Sequence, residues 1–429
     1  MLVKAVVSNR ILLEVTPEYK EVLSKELTYK VPAPNPKDPP LVIKNMARVR
    51  DNLVSIPIGR TDLIPDEYEV VDKRVMVPVD FPDFRFVLRE SQQSVYDELD
   101  DSSIINAWVS WGKTFTGLAI AGKLGQKTLV ITHTVPLRNQ WAKEVEKVYG
   151  FTPGIIGSGN FNTDPCIVVG NTQTLYRNID RIRKMFGTVI LDEMHHVSSP
   201  TFSKIIDTNH ARYKIGLSGT IERKDGKHVV FRDYFSQKVF KPPKENFMTP
   251  KVDIIKSEIR FMDGARIPWA NRVTNLATNE EYVHTVAMLA SYYAARGHKV
   301  LVVSDRVNFL KNCAILAGEK AICVTGDVPH EERETLLNEI NYGDKNILFG
   351  TQAIFSEGIS VNALSVLILG TPINNEPLLT QLIGRVIRER EGKKTPVIVD
   401  IHLKGNTARK QASNRMGYYM KQGWHINQV

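Results

Sequence analysis

The chain has 429 residues, of which 42% are hydrophobic and 24% are charged, as in a soluble globular protein of two or three domains. No stretch approaches the ~20 apolar residues that cross a bilayer. The N-terminus also lacks the order of a signal peptide, and three cysteines without metal spacing indicate a reducing compartment. We therefore expect a cytoplasmic protein, in a cell or an infected host, without a membrane partner. The net charge of +9 favours a polyanionic partner.

The first 80 residues are predicted to form a small α+β domain. Two β-rich runs, Leu2–Val7 and Ile11–Val15, flank a turn and predict a hairpin. Thr16-Pro17 then has the form of a helix start, and further β-like runs follow at Leu53–Ile58 and Glu67–Val79. This domain has four basic residues that could contact phosphates, although a solvated surface is an equal alternative: Lys44, Arg48, Arg50 and Arg60.

From residue 81, strands and helices alternate, which predicts a parallel sheet with helices on both faces and ligands at the carboxyl ends of its strands. The candidate strands are Ile104–Val109, Thr128–Thr132, Cys166–Gly170, Val189–Asp192 and Tyr213–Leu217. The candidate helices are Lys113–Lys123, Pro136–Tyr149 and Thr172–Lys184.

A second α/β pattern follows a weakly periodic stretch that we interpret as a linker. Its candidate strands are Lys299–Val303, Ala321–Thr325, Asn346–Gly350, Leu364–Leu369 and Pro396–Asp400. Its candidate helices are Tyr282–Ala295, Arg306–Ala317 and Glu331–Asn341. The predicted divisions are residues 1–80, 81–245, a linker 246–275, 276–405 and a basic tail 406–429. Interleaved aromatic and basic residues in the tail suit nucleic acid, and a helix that caps the second domain is an equal contender.

The segment Ala107–Thr114 matches a phosphate-binding loop: Gly or Ala, four residues, then Gly-Lys-Thr. A predicted strand precedes it and a predicted helix follows it, as the motif requires. Backbone N–H groups of such a loop attract phosphate oxygens. Lys113 would hold the β- and γ-phosphates and Thr114 would ligate Mg²⁺, with Ala107, Ser110 and Gly112 lining the nucleotide. The alternative is an ordinary turn.

The apolar strand Val189–Leu191 ends in two acids, Asp192 and Glu193. Asp192 can hold the same Mg²⁺ as Thr114, and Glu193 can polarise the attacking water. An exposed acidic turn or a zinc site are the alternatives, but the His-Glu-x-x-His pattern of zinc proteases and its inverse are absent. Together with the loop, this box predicts an enzyme that hydrolyses ATP with Mg²⁺.

These motifs together resemble a superfamily 2 helicase from about Val87 to Asp400. The resemblance implies two tandem RecA-like parallel-sheet lobes after the small N-terminal domain. It implies that Gln92 reads adenine and that His195, Ser218 and Thr220 couple hydrolysis to domain movement. Ser110 departs from the family, where many relatives have glycine. Two further sets are implied, nucleotide contact by Gly358 and nucleic-acid contact by Thr134, Arg138, Thr172, Thr351 and Gln352.

The most specific of these motifs is Gln381-x-x-Gly384-Arg385-x-x-Arg388. In the family its arginines reach the γ-phosphate across the cleft between the lobes. An Arg fork can meet γ-oxygens bidentately as charge spreads over them in the transition state. Within the superfamily, the Asp-Glu-x-His-His box is similar to the XPB-like and phage UvsW-like group. That resemblance points to a large tailed phage more than to a cellular housekeeping enzyme.

The sequence thus favours an ATP-dependent DNA helicase or translocase, which we expect to be a monomer, acting on single-stranded, duplex or branched DNA. An RNA helicase and the motor subunit of a restriction system are the enzyme alternatives. A DNA-binding protein with an inactive ATP site is the alternative that is not an enzyme. Contacts mostly to phosphates would make binding tolerant of sequence and weaker in salt.

Overall fold

The computed structural model describes residues 3–33, 38–194, 200–219, 226–264, 267–356 and 361–429. The chain consists of two compact units, Met1–Lys244 and Glu245–Val429. The first contains a small N-terminal domain and a large parallel sheet, and the second contains another parallel sheet. In the described part of the chain, no helix is long and apolar enough to cross a membrane.

The N-terminal domain is a five-stranded sheet with one helix and a separate hairpin. Its elements are β1 (Lys4–Val7), β2 (Arg10–Glu14), α1 (Pro17–Glu26), β3 (Thr28–Val31), β4 (Leu41–Lys44), β5 (Ala47–Arg48), β6 (Leu53–Pro57) and β7 (Glu69–Asp72). The sheet order is β5-β6-β2-β1-β7, and β3 pairs with β4.

The local predictions for this domain are confirmed. β1 and β2 form the predicted antiparallel hairpin, and Thr16 caps α1 by accepting a hydrogen bond from the Tyr19 N–H at 3.2 Å. Leu23 and Leu27 are fully buried beneath the sheet, but Val22, predicted to share their stripe, is 53% exposed. The helix buries only a narrow stripe because a single small sheet covers it.

Arg60, predicted as a surface residue that could meet phosphates, is instead only 6% exposed. Its guanidinium contacts Glu26 at 3.0 Å, Asp62 at 3.0 Å and Asp233 at 3.7 Å. The sequence gave no hint of this because Asp233 lies 173 positions further along the chain. The N-terminal domain is therefore joined to the rest of the first unit through a buried ion pair.

The large sheet of the first unit has eight strands in the order β11-β10-β12-β9-β13-β14-β8-β15, parallel except for β11. Its strands are β8 (Ser103–Asn106), β9 (Thr128–Thr132), β10 (Gly154–Gly157), β11 (Asn160–Phe161), β12 (Ile167–Asn171), β13 (Thr188–Leu191), β14 (Tyr213–Ser218) and β15 (Val239–Phe240). Its helices are α2 (Glu90–Glu98), α3 (Lys113–Leu124), α4 (Val135–Tyr149), α5 (Thr172–Arg177), α6 (Ile179–Ile182), α7 (Pro200–Thr208) and α8 (Phe231–Tyr234).

Each predicted strand of this sheet is present with shifts of a few residues, because its apolar run is buried on both faces. The predicted helix Thr172–Lys184 is instead broken into α5 and α6 at Asn178. The Asn178 side chain donates to the Thr174 carbonyl at 2.9 Å. Asparagine bonds nearby backbone in this way and interrupts helices.

Lys214 on β14 supplies a test of the core. It is fully buried, its amine donates to the Ile206 carbonyl at 2.8 Å, and burial lowers its pKa from 10.5 to about 7. Because the unfolded chain binds this proton more tightly, the cost is full below pH 7 and fades as pH rises toward 10. We expect Lys214→Met to raise the melting temperature more at pH 6 than at pH 9.5. An equal shift at both pH values would contradict the assignment.

The second unit is a seven-stranded sheet in the order β18-β19-β17-β20-β21-β16-β22, and its described pairs are all parallel. Its strands are β16 (Lys251–Arg260), β17 (Val300–Ser304), β18 (Ala321–Val324), β19 (Ile347–Thr351), β20 (Val366–Leu369), β21 (Val397–Lys404) and β22 (His425–Gln428). Its helices are α9 (Trp269–Ala277), α10 (Glu280–Ala295), α11 (Val307–Ala317), α12 (His330–Tyr342), α13 (Gln352–Ser356), α14 (Glu376–Val386) and α15 (Asn406–Lys421).

The predicted linker 246–275 is wrong for most of its length. Residues 251–260 form β16, which pairs with β21 and β22, and α9 contributes Val273 and Leu276 to the core of this unit. Val252 and Ile254 alternate with more exposed residues, a pattern of period two. Charged residues within the strand and the prolines before it hid that pattern in the sequence.

The basic tail is also packed. α15 and β22 close one side of the second sheet, with Tyr419 and Trp424 buried. Arg415 is 5% exposed and pairs bidentately with Asp400, which is fully buried. The capping interpretation of the tail therefore holds for these residues, and the nucleic-acid interpretation fails for Arg415.

Candidate functional site

The segment between β8 and α3 has the geometry of a phosphate-binding loop. β8 ends at Asn106, and α3 begins at Lys113 after Gly112, which adopts a left-handed φ of 93°. The Thr116 hydroxyl donates to the Gly112 carbonyl at 3.1 Å and fastens the first turn. The N–H groups at the start of α3 lie where they can receive phosphate oxygens.

Ser110, the residue that departs from the family pattern, also has a left-handed backbone, with φ of 71°. Such a conformation suits glycine and costs other residues about 1–3 kcal/mol. The loop keeps its shape despite the substitution, since Trp111 anchors it: the Trp111 ring is fully buried and its Nε1 donates to Ser91 Oγ at 2.8 Å. The sequence predicted the departure but not this anchor.

Lys113 lies beside the acidic box. Its amine donates to the Ala107 carbonyl at 3.2 Å, and its charge lowers the pKa of Asp192. Ala107 is fixed in turn by a hydrogen bond from its N–H to the Ser218 carbonyl at 3.0 Å. The structure thus brings together the loop, the acidic box and the end of β14, as the predicted sheet requires.

Asp192 is nearly buried and lies directly after β13. Burial first, and then the Glu193 carboxylate, raise its pKa to about 6. Trp141 Nε1 donates to Asp192 Oδ2 at 2.7 Å, and the Glu193 N–H donates to Oδ1 at 3.0 Å. Trp141 was not predicted as a site residue; its position in the first strand-binding motif was the available signal. It fixes the carboxylate orientation.

The residues fit a magnesium ion. Two adjacent carboxylates, one of them buried with a raised pKa, would be stabilised by a divalent cation beside them. Among the described residues no cluster of three or more His, Cys, Asp or Glu could hold a metal. That agrees with Mg²⁺, which is held by one or two protein ligands together with phosphate oxygens and water. Thr114 is the second residue of α3 and is partly exposed.

Gln92, predicted to read adenine, is buried against the phosphate loop. Its Nε2 donates to the Trp111 carbonyl at 2.8 Å, and its Oε1 accepts from the Arg89 N–H at 3.0 Å. The Arg89 guanidinium donates to the same Trp111 carbonyl. Gln92 and Arg89 therefore link the start of α2 to the loop, and the adenine contact stays a prediction.

The predicted nucleic-acid residues of the first unit lie at the carboxyl ends of β9 and β12. Thr134 caps α4, accepting from the Leu137 N–H at 3.4 Å, and the Thr172 hydroxyl donates to the Thr132 carbonyl at 2.9 Å. Both hydroxyls serve the local fold. Both residues belong to the strand edge that carries Asp192.

Arg138 is 6% exposed, and burial alone lowers its pKa. Its guanidinium donates to the Ser158 hydroxyl at 3.1 Å and to the Asn139 side-chain oxygen at 3.1 and 3.3 Å. No carboxylate of the described residues lies within ion-pair distance of it. This buried cation is neutralised by no protein anion described in the structure.

Sequence reasoning missed the loop that faces Arg138. Gly157 has φ of 144°, and a Cβ there would lie 2.5 Å from Arg138 Nη1 and 2.8 Å from Asn171 Oδ1. That oxygen is buried and has no hydrogen-bond partner among the described residues. The Gly157-Ser158-Gly159 triplet was the signal, because consecutive left-handed positions and close approach need glycine.

In the second unit, the predicted residues flank α13 and α14. Thr351 ends β19 and Gln352 begins α13, where its Nε2 donates to the Thr371 hydroxyl at 3.4 Å. Gln381 lies on α14 with Arg385, whose Nε donates to the Phe355 carbonyl at 2.8 Å. The structure therefore joins the arginine motif to the predicted nucleic-acid segment.

Arg388 follows α14 and donates to Asn362 Oδ1 at 3.4 Å. Burial lowers its pKa. Lys393 donates to the Arg388 carbonyl at 2.7 Å, and burial together with Arg388 and Arg390 lowers the Lys393 pKa to about 7. The region is thus rich in cations. Three predicted residues, His195, Thr220 and Gly358, lie outside the described residues, whereas Ser218 is the buried last residue of β14.

Comparisons with known proteins identify two domains in the chain. Residues 85–223 match the family model described as "Type III restriction enzyme, res subunit", and residues 283–390 match the helicase conserved C-terminal domain. The chain is 42% identical to "Probable helicase D10" of Escherichia phage T5, over 98% of this chain and 95% of that protein.

More distant similarities agree with that finding. The chain is 25% identical to "ATP-dependent DNA helicase uvsW" of Enterobacteria phage T4, over 68% of this chain and 62% of that protein. The solved structure of Dbp5 from S. cerevisiae, bound to RNA and ADP BeF3, aligns with a TM-score of 0.56 at 13% identity. It covers 79% of this chain and 89% of that one, and shows that the two parallel sheets have RecA-like helicase folds.

Proposed function

The chain belongs to the superfamily 2 helicases and is an ATP-dependent nucleic-acid helicase, and from this premise we propose that its substrate is DNA, in particular branched DNA such as forks and junctions. We propose further that it acts in phage replication, recombination or repair. The relative from phage T4 is named as a DNA helicase, and the net charge of +9 suits a polyanion.

The observation that carries the proposal is a single strand edge with two kinds of phosphate site. The carboxyl ends of β8 and β13 hold Lys113 and Asp192, while those of β10 and β12 hold the unneutralised Arg138 and its glycine loop. β9 lies between β12 and β13. A shared sheet edge allows movement at one site to be felt at the other.

The proposed roles follow the chemistry of phosphoryl transfer. Lys113 neutralises the β- and γ-phosphates, Thr114 and Asp192 hold Mg²⁺, and Glu193 orients the attacking water. When bound, Mg²⁺ supplies charge neutralisation on the transferred phosphoryl group. Trp141 keeps the Asp192 carboxylate in one orientation through its 2.7 Å hydrogen bond. Gln381, Arg385 and Arg388 take the transition-state role that the family resemblance implies.

For DNA, Arg138 is proposed to bind a backbone phosphate together with the Gly157–Gly159 loop. Thr134, Thr172, Thr351 and Gln352 are proposed as further backbone contacts. Contacts of this class carry little sequence information and release counterions, so affinity should fall as salt rises. RNA is the second candidate, because phosphate contacts alone do not separate the two nucleic acids.

The experiment that tests the proposal measures ATPase activity and unwinding on matched DNA and RNA substrates, each single-stranded, plain duplex, forked and four-way. We expect the highest kcat/KM for unwinding with forked or four-way DNA. Equal or greater activity on the RNA set would contradict the DNA assignment. Equal unwinding of plain and forked duplexes would contradict the branched-DNA assignment.

Arg138→Ala is expected to weaken DNA binding roughly equally on all sequences and to reduce the salt slope of log K by about 1. Binding titrations at several salt concentrations measure this, with ATP affinity as an internal check. Arg183→Ala is the matched control, since Arg183 is exposed and lies before the amino end of β13. An unchanged slope in Arg138→Ala would exclude the phosphate contact.

A further inference from the structure

The C-terminal helix α15 contacts the arginine helix α14 at several places. Thr380 on α14 is buried and its Oγ1 donates to the Tyr418 hydroxyl of α15 at 2.9 Å. Thr380 immediately precedes Gln381 and lies five residues before Arg385. A hydroxyl inside a helix often bonds to its own backbone four residues back, but this one bonds to a neighbouring helix.

A second group of contacts fixes the loop that begins α14. Arg415 Nη1 donates to the Ile373 carbonyl at 3.1 Å, and Asn414 Nδ2 donates to Asn374 Oδ1 at 3.0 Å. Asn375, the next residue, caps α14 by accepting from the Leu378 N–H at 3.4 Å. α15 therefore contacts both the cap and the middle of α14.

α15 is itself anchored to the sheet, so it can act as a fixed support. Arg415 Nε and Nη2 donate to the two oxygens of Asp400 on β21 at 2.8 and 2.7 Å. Tyr419 donates to the same carboxylate at 3.1 Å. Asp400 is fully buried, and Arg415 holds its pKa well below the usual range. A bidentate Arg–carboxylate pair fixes geometry as well as charge.

We propose that Tyr418 is a positioning residue for ATP hydrolysis: through Thr380 it sets the register of α14, and with it the placement of Gln381 and Arg385. This inference rests on the proposed function, in which those two side chains act in hydrolysis. A displacement of about 1 Å at a catalytic group costs as much as 10²-fold in rate. A helix held at both its cap and its middle resists such a displacement.

The test uses the full chain and compares Tyr418→Phe and Thr380→Val with their double variant. We expect kcat for DNA-stimulated hydrolysis to fall roughly threefold to tenfold in each, on the scale of one hydrogen bond. KM for ATP and the DNA dissociation constant should stay within about twofold, because this bond lies outside both ligand sites. The double variant should resemble either single variant, as residues that share one bond are not additive.

Two controls separate positioning from simple stability. Thr380→Ser keeps the hydroxyl and should keep kcat, whereas Tyr292→Phe removes a hydroxyl from an exposed tyrosine on α10 and should change nothing. A Tyr418→Phe chain that melts lower but keeps wild-type kcat overturns the inference, and so does an additive double variant. A wild-type chain without nucleic-acid-stimulated hydrolysis overturns the proposed function and this inference with it.

Discussion

Replacing Lys113 with alanine is expected to lower kcat for ATP hydrolysis by at least roughly 10²- to 10³-fold, the cost of removing one preorganised electrostatic contact to a transferring group. The Lys113 amine is held at 3.2 Å from the Ala107 carbonyl and lowers the pKa of Asp192. It is thus already placed beside the acidic box before phosphate arrives. Steady-state hydrolysis with saturating DNA measures the loss.

Lys123→Ala is the matched control for Lys113→Ala. Both lysines lie on α3, but Lys123 is exposed and donates to the Tyr96 and Asp97 carbonyls at the far end of the helix. It should hydrolyse ATP at the wild-type rate. If Lys113→Ala also turned over normally, the phosphate loop would be wrongly assigned.

Glu193→Gln is expected to keep ATP affinity and lose turnover. The amide preserves the shape of the side chain but cannot polarise the attacking water as a carboxylate does. Glu193 has a left-handed backbone, with φ of 49°, a strained conformation that fixes where the side chain leaves the strand end. Calorimetric binding of an ATP analogue alongside steady-state hydrolysis separates the two effects, and tight binding with full turnover would refute the role.

The sequence was sufficient for the parallel sheets because their strands are short apolar runs buried on both faces. The ends of β8, β9, β12, β13 and β14 then place the ATP-site residues on one edge by topology alone. What could not be predicted depends on partners distant in sequence. Trp141 reaches Asp192 across 51 positions, and no local pattern reveals such a pair.

Burial of charged residues was the other source of error. Arg60 and Arg415 have the composition of a basic surface, yet each is buried against aspartates that lie on other elements. A positive residue is predicted as exposed because an unpaired buried charge is costly. The prediction fails where folding supplies a carboxylate, and only the three-dimensional structure shows where that happens.

The N-terminal domain remains the candidate for selecting branched DNA, but deleting it would be a poor test. Arg10 pairs with Asp207 at 2.7 Å, and Tyr29 and Asn45 donate to Asp233 at 3.0 and 2.7 Å. Truncation at residue 80 would leave both aspartates without these partners. Substituting the exposed Lys44, Arg48 and Arg50 together is the cleaner test of a DNA contact, since it leaves this interface whole.

Arg60→Ala, in contrast, is expected to lower the free energy of unfolding of the first unit by about 3–5 kcal/mol, as when one partner of a buried ion pair is removed. Asp233 is 1% exposed, and burial already raises its pKa against the opposing effect of Arg60. Without the guanidinium, that carboxylate keeps only neutral donors. Hydrogen exchange of the β2 and β6 amides reports the loss in the first unit alone.

Arg48→Ala is the matched control for Arg60→Ala, because Arg48 belongs to the same domain and its ion pair with Asp51 is 62% and 92% exposed at the two side chains. Exposed pairs contribute little, about 0–1 kcal/mol, so exchange in β2 and β6 should match the wild type. If Arg60→Ala were as stable as Arg48→Ala, the domain would not be held through Asp233. If Arg60→Ala were stable and also lost fork preference, Arg60 would be the surface phosphate contact that its charge alone suggested.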